Sequence, residues 1–469
     1  MSKFITAIGC VIISGVLFYY STGFHNQWFL LWFAPILPLW YSYKHNRTAS
    51  FSVAFFSFFI GTLNLLAYVS AGLPVQIIMG PIIISSLVFA TLVIINAQLT
   101  KYLNHWVAIF LFPALWTSYE FIISLFLPSG PLNSLAYSQI DFLPFVQIAN
   151  ITGIWGITFV LLLFSSSISY GIYFNNKVKN SFFGFIFSLA MIGVSIAYGV
   201  FQVDRTHTPI ETLRVGAASI QASIDVSGQN AINLTKRYIG LVDKLSAQGA
   251  QFIVLPERFV SANSDNLAIV TAILVQAAKK NHITLVAGMA RENQQNYNSA
   301  MVINPNGQII GMYNKQHLVP VLESRFKPGK KLFLINNSNP LFSWGVAICK
   351  DMDFTYPALS YGKQHVALLL VPAFDFNVDA WLHAKVAIMR GIENGYAVVR
   401  AANQGLLTVN NQYGEMIAIK SDADNDETML VTTVNLYQMK TLYSILGNWF
   451  GWGSIVIVFL FGIRHYLRR

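Results

Sequence analysis

Residues 76–98 of the chain read QIIMGPIIISSLVFATLVIINAQ, a run that contains no charged side chain. A helix needs about 20 predominantly apolar residues to cross the hydrocarbon core of a bilayer. This stretch therefore predicts a membrane-spanning helix. Seven other stretches share its character and bring the predicted spans to eight: 4–20, 27–43, 51–70, 105–126, 151–174, 181–201 and 447–463.

The charged residues of the chain are concentrated in its middle. Lys, Arg, Asp and Glu make up 11% of the 469 residues, whereas a soluble domain has about 25%. Most of them lie between 202 and 440, and the flanking segments are nearly free of charge. We therefore predict a membrane domain of seven transmembrane helices over 1–201 and a soluble domain over 202–440. An eighth transmembrane helix with a basic tail follows over 441–469.

The basic residues outside the soluble domain predict how the chain crosses the membrane, because cytoplasmic loops carry an excess of Lys and Arg. With a cytoplasmic N-terminus, the loops on the opposite side at 21–26, 71–75 and 127–150 contain neither residue. The soluble domain is then extracytoplasmic. The net charge of +10 reflects this topology, and no basic face indicates a nucleic-acid partner. The residues assigned to the cytoplasm are Lys3, Lys44, Arg47, Lys101, Lys177, Lys179, Arg464, Arg468 and Arg469.

The segment 202–440 alternates short apolar runs with amphipathic stretches. Helical periodicity predicts helices at 228–248, 265–281 and 378–394. Asn306-Gly307 lies between two alternating runs, which is typical of a β-hairpin turn. Alternating strands and helices over this length predict a layered α/β domain. The predicted strands are 213–221, 252–256, 284–289, 299–304, 308–313, 344–348, 366–371, 397–401, 406–410 and 429–434.

Three polar residues follow predicted strands and could together perform acyl chemistry. Cys349 ends the run Trp344-Gly-Val-Ala-Ile-Cys349, Glu257 ends Phe252-Ile-Val-Leu-Pro-Glu257, and Lys315 follows the strand after the Asn-Gly turn. A nucleophilic thiol needs an activating base, and a tetrahedral intermediate needs a positive group near its oxyanion. Each residue also has an ordinary interpretation, as a buried structural cysteine, a surface acid or a solvated lysine. Spacing along the chain does not show whether the three meet.

The segments around these residues resemble the Glu-Lys-Cys motifs of the nitrilase, or carbon–nitrogen hydrolase, superfamily. Outside the soluble domain, further segments resemble membrane motifs of apolipoprotein N-acyltransferases, a family in which a nitrilase-like domain is inserted before the last of eight spans. The resemblance implies a multi-span α-helical membrane domain plus an α/β nitrilase-like layered sandwich (α-β-β-α). The matching segments are Leu255-Pro-Glu257, Tyr313-Asn-Lys315-Gln-His-Leu-Val-Pro320, Ala347-Ile-Cys349, Leu115-Trp-Thr-Ser-Tyr-Glu120, Ala136-Tyr-Ser-Gln139, Thr152-Gly-Ile-Trp-Gly156 and Gly447-Asn-Trp449.

The resemblance also implies a two-step reaction at a bacterial inner membrane, with the catalytic domain on the periplasmic side. The cysteine takes an acyl chain from a phospholipid as a thioester. It then passes the chain to the N-terminal α-amine of a diacylglyceryl-cysteine lipoprotein. Carried over by position, Glu257 is the general base, Lys315 the oxyanion stabiliser, Cys349 the nucleophile and Glu323 a supporting carboxylate. A phospholipid, a lipoprotein and membrane lipids are the expected partners; no cofactor or metal is expected.

The chain departs from the acyltransferase pattern directly after the cysteine. The family usually has an aromatic residue and then Glu, whereas this chain has Lys350 and Asp351. A second cation beside the thiol would favour the thiolate and lower the cysteine pKa. Alternatively, Lys350 pairs with Asp351 or Asp353 and leaves the site unchanged. A second departure is the segment Ala373-Phe-Asp-Phe-Asn377, where the family has Asn-Asp-Ala-Trp-Phe-Gly.

Two other functions use parts of the same pattern. A membrane-tethered amide or nitrile hydrolase would employ the same triad with water as the acceptor. A non-catalytic membrane protein, such as a lipid-binding module or a transporter with a relic domain, would need no triad. The complete triad argues against the second alternative. The membrane-region motifs argue against the first, because a simple tether would not need them.

Overall fold

The computed structural model describes residues 2–174, 181–204, 208–292, 294–336, 342–423 and 425–467. Four basic residues of the topology prediction, Lys177, Lys179, Arg468 and Arg469, lie outside these ranges. The chain forms two compact units, of which the first joins Met1–Asp204 to Leu446–Arg469 and the second is Arg205–Ile445.

The first unit is helical. Among the described residues, seven of its helices are long and apolar enough to cross a membrane. They begin at Lys3, Arg47, Val75, Trp106, Ile154, Phe182 and Trp449 and end at Ser21, Val69, Leu103, Phe126, Phe174, Asp204 and Leu467. The α-helices used below are α1 (Ser2–Ser21), α2 (Ile36–Lys44), α3 (Arg47–Thr62), α4 (Val75–Leu103), α5 (Leu111–Phe126), α6 (Ile154–Phe174) and α7 (Ser181–Asp204). Short helices lie at Leu143–Val146 and Ala149–Thr152.

The predicted span at 27–43 is not one continuous helix. The chain forms a 3₁₀-helix over Trp28–Trp32, turns, and then forms the nine-residue helix α2. Pro35 and Pro38 lie at this junction and at the start of α2. Because proline has no N–H to donate, it interrupts the regular i to i−4 hydrogen bonds of a long helix.

This broken segment still runs back along α1. At one end, Gln27 N–H donates a hydrogen bond to Tyr20 O, near the end of α1. Further on, Tyr41 packs in a buried cluster with Cys10, which lies in the first half of α1. The segment is therefore antiparallel to α1 and covers much of its length.

Glu120 anchors the apolar core of the helical unit. Its Oε1 accepts from Trp116 Nε1 and from Leu135 N–H, both at 2.9 Å. Its Oε2 accepts from Ser134 Oγ at 2.7 Å and from Thr158 Oγ1 at 3.0 Å. A carboxylate has about four acceptor sites, so these donors satisfy it completely. The residue thus ties the loop after α5 to both α5 and α6.

The second unit contains two mixed sheets. The first has the order β13-β1-β2-β4-β5-β6 with β3 beside β4, and the second has the order β12-β11-β10-β9-β8-β7. The strands of the first sheet are β1 (Glu211–Ile220), β2 (Phe252–Val254), β3 (Val260–Ala262), β4 (Thr284–Glu292), β5 (Asn296–Ile303), β6 (Ile309–Asn314) and β13 (Glu427–Leu436). Those of the second are β7 (Phe333–Asn336), β8 (Ser343–Val346), β9 (Leu368–Phe374), β10 (Ala397–Asn403), β11 (Leu406–Asn410) and β12 (Met416–Ser421).

The two sheets pack face to face, and helices cover their outer faces. Alternate strand residues from both sheets, such as Val254 and Leu370, form the central core. Helices α8 (Gly228–Ala247) and α9 (Leu267–Asn281) cover the first sheet. Helices α10 (Thr355–Lys363) and α11 (Ala380–Asn394) lie on the second. This α-β-β-α arrangement confirms the predicted fold class. A short helix, Leu442–Leu446, leads to the last long helix, α12 (Trp449–Leu467).

The sequence patterns did not predict three strands and one helix of this domain: β3, β7, β12 and α10. β3 and β7 have three and four residues, too few to show a periodic pattern. β12 lies at the edge of its sheet and is half exposed, so its apolar pattern is weak.

Candidate active site

Glu257 and Lys315 follow strands that end at the same edge of the first sheet. β2 is parallel to β4, β5 is antiparallel to β4, and β6 is antiparallel to β5. β6 therefore runs in the direction of β2, and the residues following both strands emerge together. In the second sheet, β8 and β9 are parallel, and Cys349 follows β8. Glu257 N–H donates to Ala373 O of β9 at 3.2 Å. The strand ends of both sheets thus meet here, at the carboxyl ends where α/β domains bind ligands.

Lys315 lies between two carboxylates. Its Nζ is 2.7 Å from Glu257 Oε1 and 2.9 Å from Glu323 Oε2. Asn298 Nδ2 donates to Glu257 Oε1 at 2.5 Å and to Glu323 Oε1 at 2.6 Å, so it bridges the two acids. All four side chains are buried. Buried charges persist only when they are paired and hydrogen-bonded, and this cluster meets that condition.

The charges in this cluster set its protonation. Burial raises the pKa of Glu257, and the nearby Glu323 adds to the rise, although Lys315 opposes it. Burial alone would lower the pKa of Lys315, but Glu257, Cys349 and Glu323 outweigh burial and raise it. Burial works to raise the pKa of Glu323, but Lys315 and the Val319 N–H lower it overall. The lysine is therefore a fixed cation, and Glu257 is the more basic of the two carboxylates.

Cys349 lies on a strained turn beside this cluster. Its φ is 42°, a value that non-glycine residues adopt rarely and that recurs at active sites. The residue is half-buried, and its Sγ is 3.4 Å from Phe374 O. Burial raises the pKa of the thiol well above its usual value; Glu257 raises it further, and Lys315 partly opposes this. The thiol therefore keeps its proton at neutral pH unless a base removes it.

Lys350 does not add a second cation at the thiol. Its Nζ is 3.6 Å from Asp353 Oδ2 and lies over the ring of Phe354. The structure thus agrees with the second interpretation, in which Lys350 pairs with Asp353. The expectation of a lowered cysteine pKa is wrong, because burial and Glu257 dominate the environment of the thiol.

Asp351 is buried and connects the Lys315 loop to the Cys349 turn. Its Oδ1 accepts from the backbone N–H groups of Gln316 at 3.1 Å and His317 at 2.8 Å. Its Oδ2 accepts from Tyr313 OH at 2.8 Å and from Ile348 N–H at 3.2 Å. The carboxylate thus holds the residues on either side of Lys315 against the residue before Cys349.

Sequence reasoning missed two members of the site, Asn298 and Arg258. Arg258 has a φ of 48°, and its guanidinium donates to Glu323 Oε1 at 3.2 Å and pairs with Asp225. A signal for each was present in the sequence. Arg258 directly follows the proposed base, and Asn298 is a polar residue directly before the predicted strand 299–304.

One further cluster near Cys349 combines acids with a histidine. Single ligand atoms of Asp375, Asp379 and His383 lie within 4.8 Å of one another. Asp375 is held by Arg400, whose Nη1 donates to it at 2.9 Å. Burial works to lower the pKa of His383, but Asp379 and Asp353 outweigh it and raise the pKa well above its usual value. A protonated histidine and a paired arginine neutralise these acids, so the cluster fits an ion-pair network better than a metal site.

Two family descriptions match successive parts of the chain. The N-terminal domain of apolipoprotein N-acyltransferase matches residues 14–167, and the carbon-nitrogen hydrolase domain matches residues 216–438. These regions correspond to the helical unit and to the two-sheet unit.

Curated proteins and solved structures are similar to the chain as well. An apolipoprotein N-acyltransferase from Haemophilus influenzae is 24% identical, with 100% of this chain and 97% of the relative covered. The protein of that name from Haemophilus ducreyi is also 24% identical, over 76% of this chain and 75% of its own. An amidase from Nesterenkonia sp. is 18% identical, with a TM-score of 0.40, and the match covers 49% of this chain and 94% of that one.

Both family domains occur here in one chain, together with the long apolar helices of a multi-pass membrane protein. The two relatives named apolipoprotein N-acyltransferase are similar to this chain over most of its length. Both units of the chain therefore match domains found under these descriptions, and the similarity over most of its length supports an acyltransferase enzyme that resembles the apolipoprotein N-acyltransferases.

Proposed function

We propose that the protein transfers an acyl chain from a phospholipid, through a thioester on Cys349, to the N-terminal α-amine of a lipoprotein. One observation carries this proposal: the partly exposed residue Cys349 lies on a strained turn and adjoins a buried Glu257–Lys315–Glu323 cluster. The proposed base and cation are shielded from water. The relatives' names supply the acceptor class.

In the first half-reaction, Glu257 takes the proton of the Cys349 thiol, and the thiolate attacks the ester carbonyl of the phospholipid. The oxyanion of the tetrahedral intermediate is stabilised by the Lys315 ammonium. The bond between carbonyl carbon and ester oxygen then breaks, and the Glu257 carboxyl returns its proton to the departing lysophospholipid alkoxide. Because burial and Glu257 hold the thiol pKa high, proton removal by this base is a necessary part of the step.

In the second half-reaction, the lipoprotein α-amine attacks the thioester carbonyl. Glu257 takes a proton from the amine nitrogen, and Lys315 again faces the oxyanion. The carbon–sulfur bond breaks, the thiolate leaves and regains the proton from Glu257, and an amide is released. Glu323 keeps Lys315 charged and in place between the two carboxylates. No group outside the chain and its two substrates enters either half-reaction.

We further propose that the catalytic unit lies on the periplasmic side of the inner membrane. Among the described residues, six long helices precede this unit, and the broken segment over 28–44 adds a seventh crossing because it runs back along α1. Seven crossings from a cytoplasmic N-terminus lead to the opposite side, and α12 returns the chain. The one-sided distribution of Lys and Arg supports this orientation.

The proposal is tested by intact mass spectrometry of the full chain purified from membranes and incubated with phospholipid. We expect a mass increase of one acyl group on the wild-type protein and on Cys10→Ala, and none on Cys349→Ala. Adding a synthetic diacylglyceryl-cysteine peptide should remove the acyl group and yield the N-acyl peptide. Release of free fatty acid at the same rate without the peptide would instead identify a hydrolase that uses water.

A further inference from the structure

A cavity lies within the helical unit, at the end that carries its basic residues. Its volume is about 550 Å³, within the range of about 300–1,000 Å³ for small-molecule sites. It lies where the end of α2, the start of α3, the last turns of α4 and the end of α12 come together. All of its lining residues belong to the helical unit.

The lining is basic and holds no acid. Arg47, Lys101, His45 and His465 line the cavity, and no carboxylate does so among the described residues. Arg47 makes no ion pair within the described part of the chain, and Lys101 Nζ reaches only Ser42 O, at 3.3 Å. Glu120, which lies in the core of the same unit, is already satisfied by four donors. The positive charge of the cavity is therefore not neutralised by the protein around it.

Three polar atoms in the cavity wall have no hydrogen-bond partner among the described residues, although each is buried. They are Ser50 Oγ, Tyr102 OH and His465 Nδ1. Ser50 is 1% exposed, and the rings of Tyr102 and His465 are in edge-to-face contact at 4.3 Å. Buried polar groups are nearly always satisfied, so unpartnered ones indicate a missing ligand, ion or water. Hydroxyl and imidazole donors beside two fixed cations suit an oxyanion.

We propose that this cavity binds the phosphodiester of an anionic glycerophospholipid, at a site separate from the Cys349 centre. Arg47 and Lys101 would pair with the phosphate, and the Ser50 and Tyr102 hydroxyls would donate hydrogen bonds to its oxygens. Basic pockets between transmembrane helices are the sites where anionic headgroups bind.

The cavity fits a lipid better than a free phosphate ion because an apolar stripe continues from it. Ile94 and Ile95 of α4 line the cavity. Along the same helix, Ile84, Leu87 and Ile95 expose 60%, 43% and 36% of their surfaces. Their spacings of three and eight residues place them on one face of the helix. An acyl chain attached to a headgroup in the cavity could extend along this stripe, whereas inorganic phosphate would leave it unused.

The test compares lipid binding among variants that all carry the same Cys349→Ala centre, so any lipid bound at that centre contributes equally to every titration. The full chain carries Cys349→Ala to block turnover, is held in a non-ionic detergent and is titrated with phosphatidylglycerol, phosphatidylcholine or inorganic phosphate. Thermal unfolding and native mass spectrometry report binding. The double variant Arg47→Gln/Lys101→Gln should weaken phosphatidylglycerol binding about 30-fold, from about fivefold per removed charge. Binding of phosphatidylcholine should be the same in every variant, because the cavity cations attract only an anionic lipid.

Two further variants make the result decisive. Arg464→Gln removes a charge beside His465 but not in the cavity lining, and it should bind phosphatidylglycerol like the parent. Gln98→Trp keeps every charge and fills the cavity from its wall, so it should weaken binding even if the double variant does not fold. Unchanged phosphatidylglycerol binding in Gln98→Trp and in any folded double variant would overturn the proposal. Phosphate binding as tightly as the lipid, with the same variant pattern, would overturn the lipid assignment.

Discussion

Replacing Asp351 by Asn tests how the site is held together. This residue is buried, and its two oxygens accept from the side chain of Tyr313 and from the N–H groups of Gln316, His317 and Ile348. We expect the variant to fold, to be less stable than the parent and to transfer acyl chains more slowly. The reason is that Asp351 joins the loop of Lys315 to the turn of Cys349.

The hydrogen bonds of Asp351 set the size of the expected losses in stability and in kcat. An Asn side chain keeps one carbonyl oxygen that accepts from the N–H groups of Gln316 and His317. Its amide nitrogen then faces the Ile348 N–H, and because both groups are donors, they form no hydrogen bond. The Tyr313 hydroxyl can turn and accept. One unsatisfied buried N–H lowers the free energy of unfolding by about 1–3 kcal/mol. For a domain of this size, a loss of about 2 kcal/mol lowers the melting temperature by roughly 4–8 °C. A shift of Lys315 by about 1 Å would reduce kcat on the order of 10²-fold.

The assay combines thermal unfolding of the detergent-solubilised chain with kcat for acyl transfer to a lipopeptide. Asp426→Asn is the matched control, because that acid is exposed and pairs only with the exposed Arg237 among the described residues. It should change neither quantity measurably. If Asp351→Asn left both the melting temperature and kcat at the parent values, the assigned positioning role of Asp351 would be refuted.

Three further predictions concern the triad, the thiol and the topology. Glu257→Gln should lower transfer by about 10²–10⁴-fold, the range for a lost general base; it should also move the alkylation midpoint of Cys349 to lower pH, because the Glu257 charge raises the thiol pKa. An alkylation midpoint that stays in place or rises would contradict this electrostatic assignment. Lys350→Tyr should leave the alkylation midpoint of the thiol unchanged, since Lys350 pairs with Asp353, and a clear shift would show that its charge reaches the sulfur. A reporter fused after residue 210 should be active only in the periplasm and one fused at the C-terminus only in the cytoplasm; the reverse pattern would exclude the proposed orientation.

The membrane helices and the main strands could be predicted from the sequence because each is a local pattern. An uncharged run such as 76–98 must be a helix in lipid, where every backbone group needs an internal hydrogen bond. The structure has one long helix there, Val75–Leu103. The segment at 27–43 differed because its two prolines break the helical hydrogen bonds without changing the apolar composition. The short strands β3 and β7 depend on pairing partners that no local pattern reveals.

The identities of the site residues were visible in the sequence as polar residues at the ends of apolar runs, and the family resemblance suggested roles for them. Their environment was decided only by tertiary structure. The sequence placed Lys350 beside Cys349, yet the turn at Cys349 directs that lysine to Asp353, and burial with Glu257 raises the thiol pKa instead of lowering it. Asn298 and Arg258 joined the site through sheet register and through a left-handed backbone conformation. A pKa depends on distances and on exclusion of water, and both arise only when residues far apart in the chain are packed together.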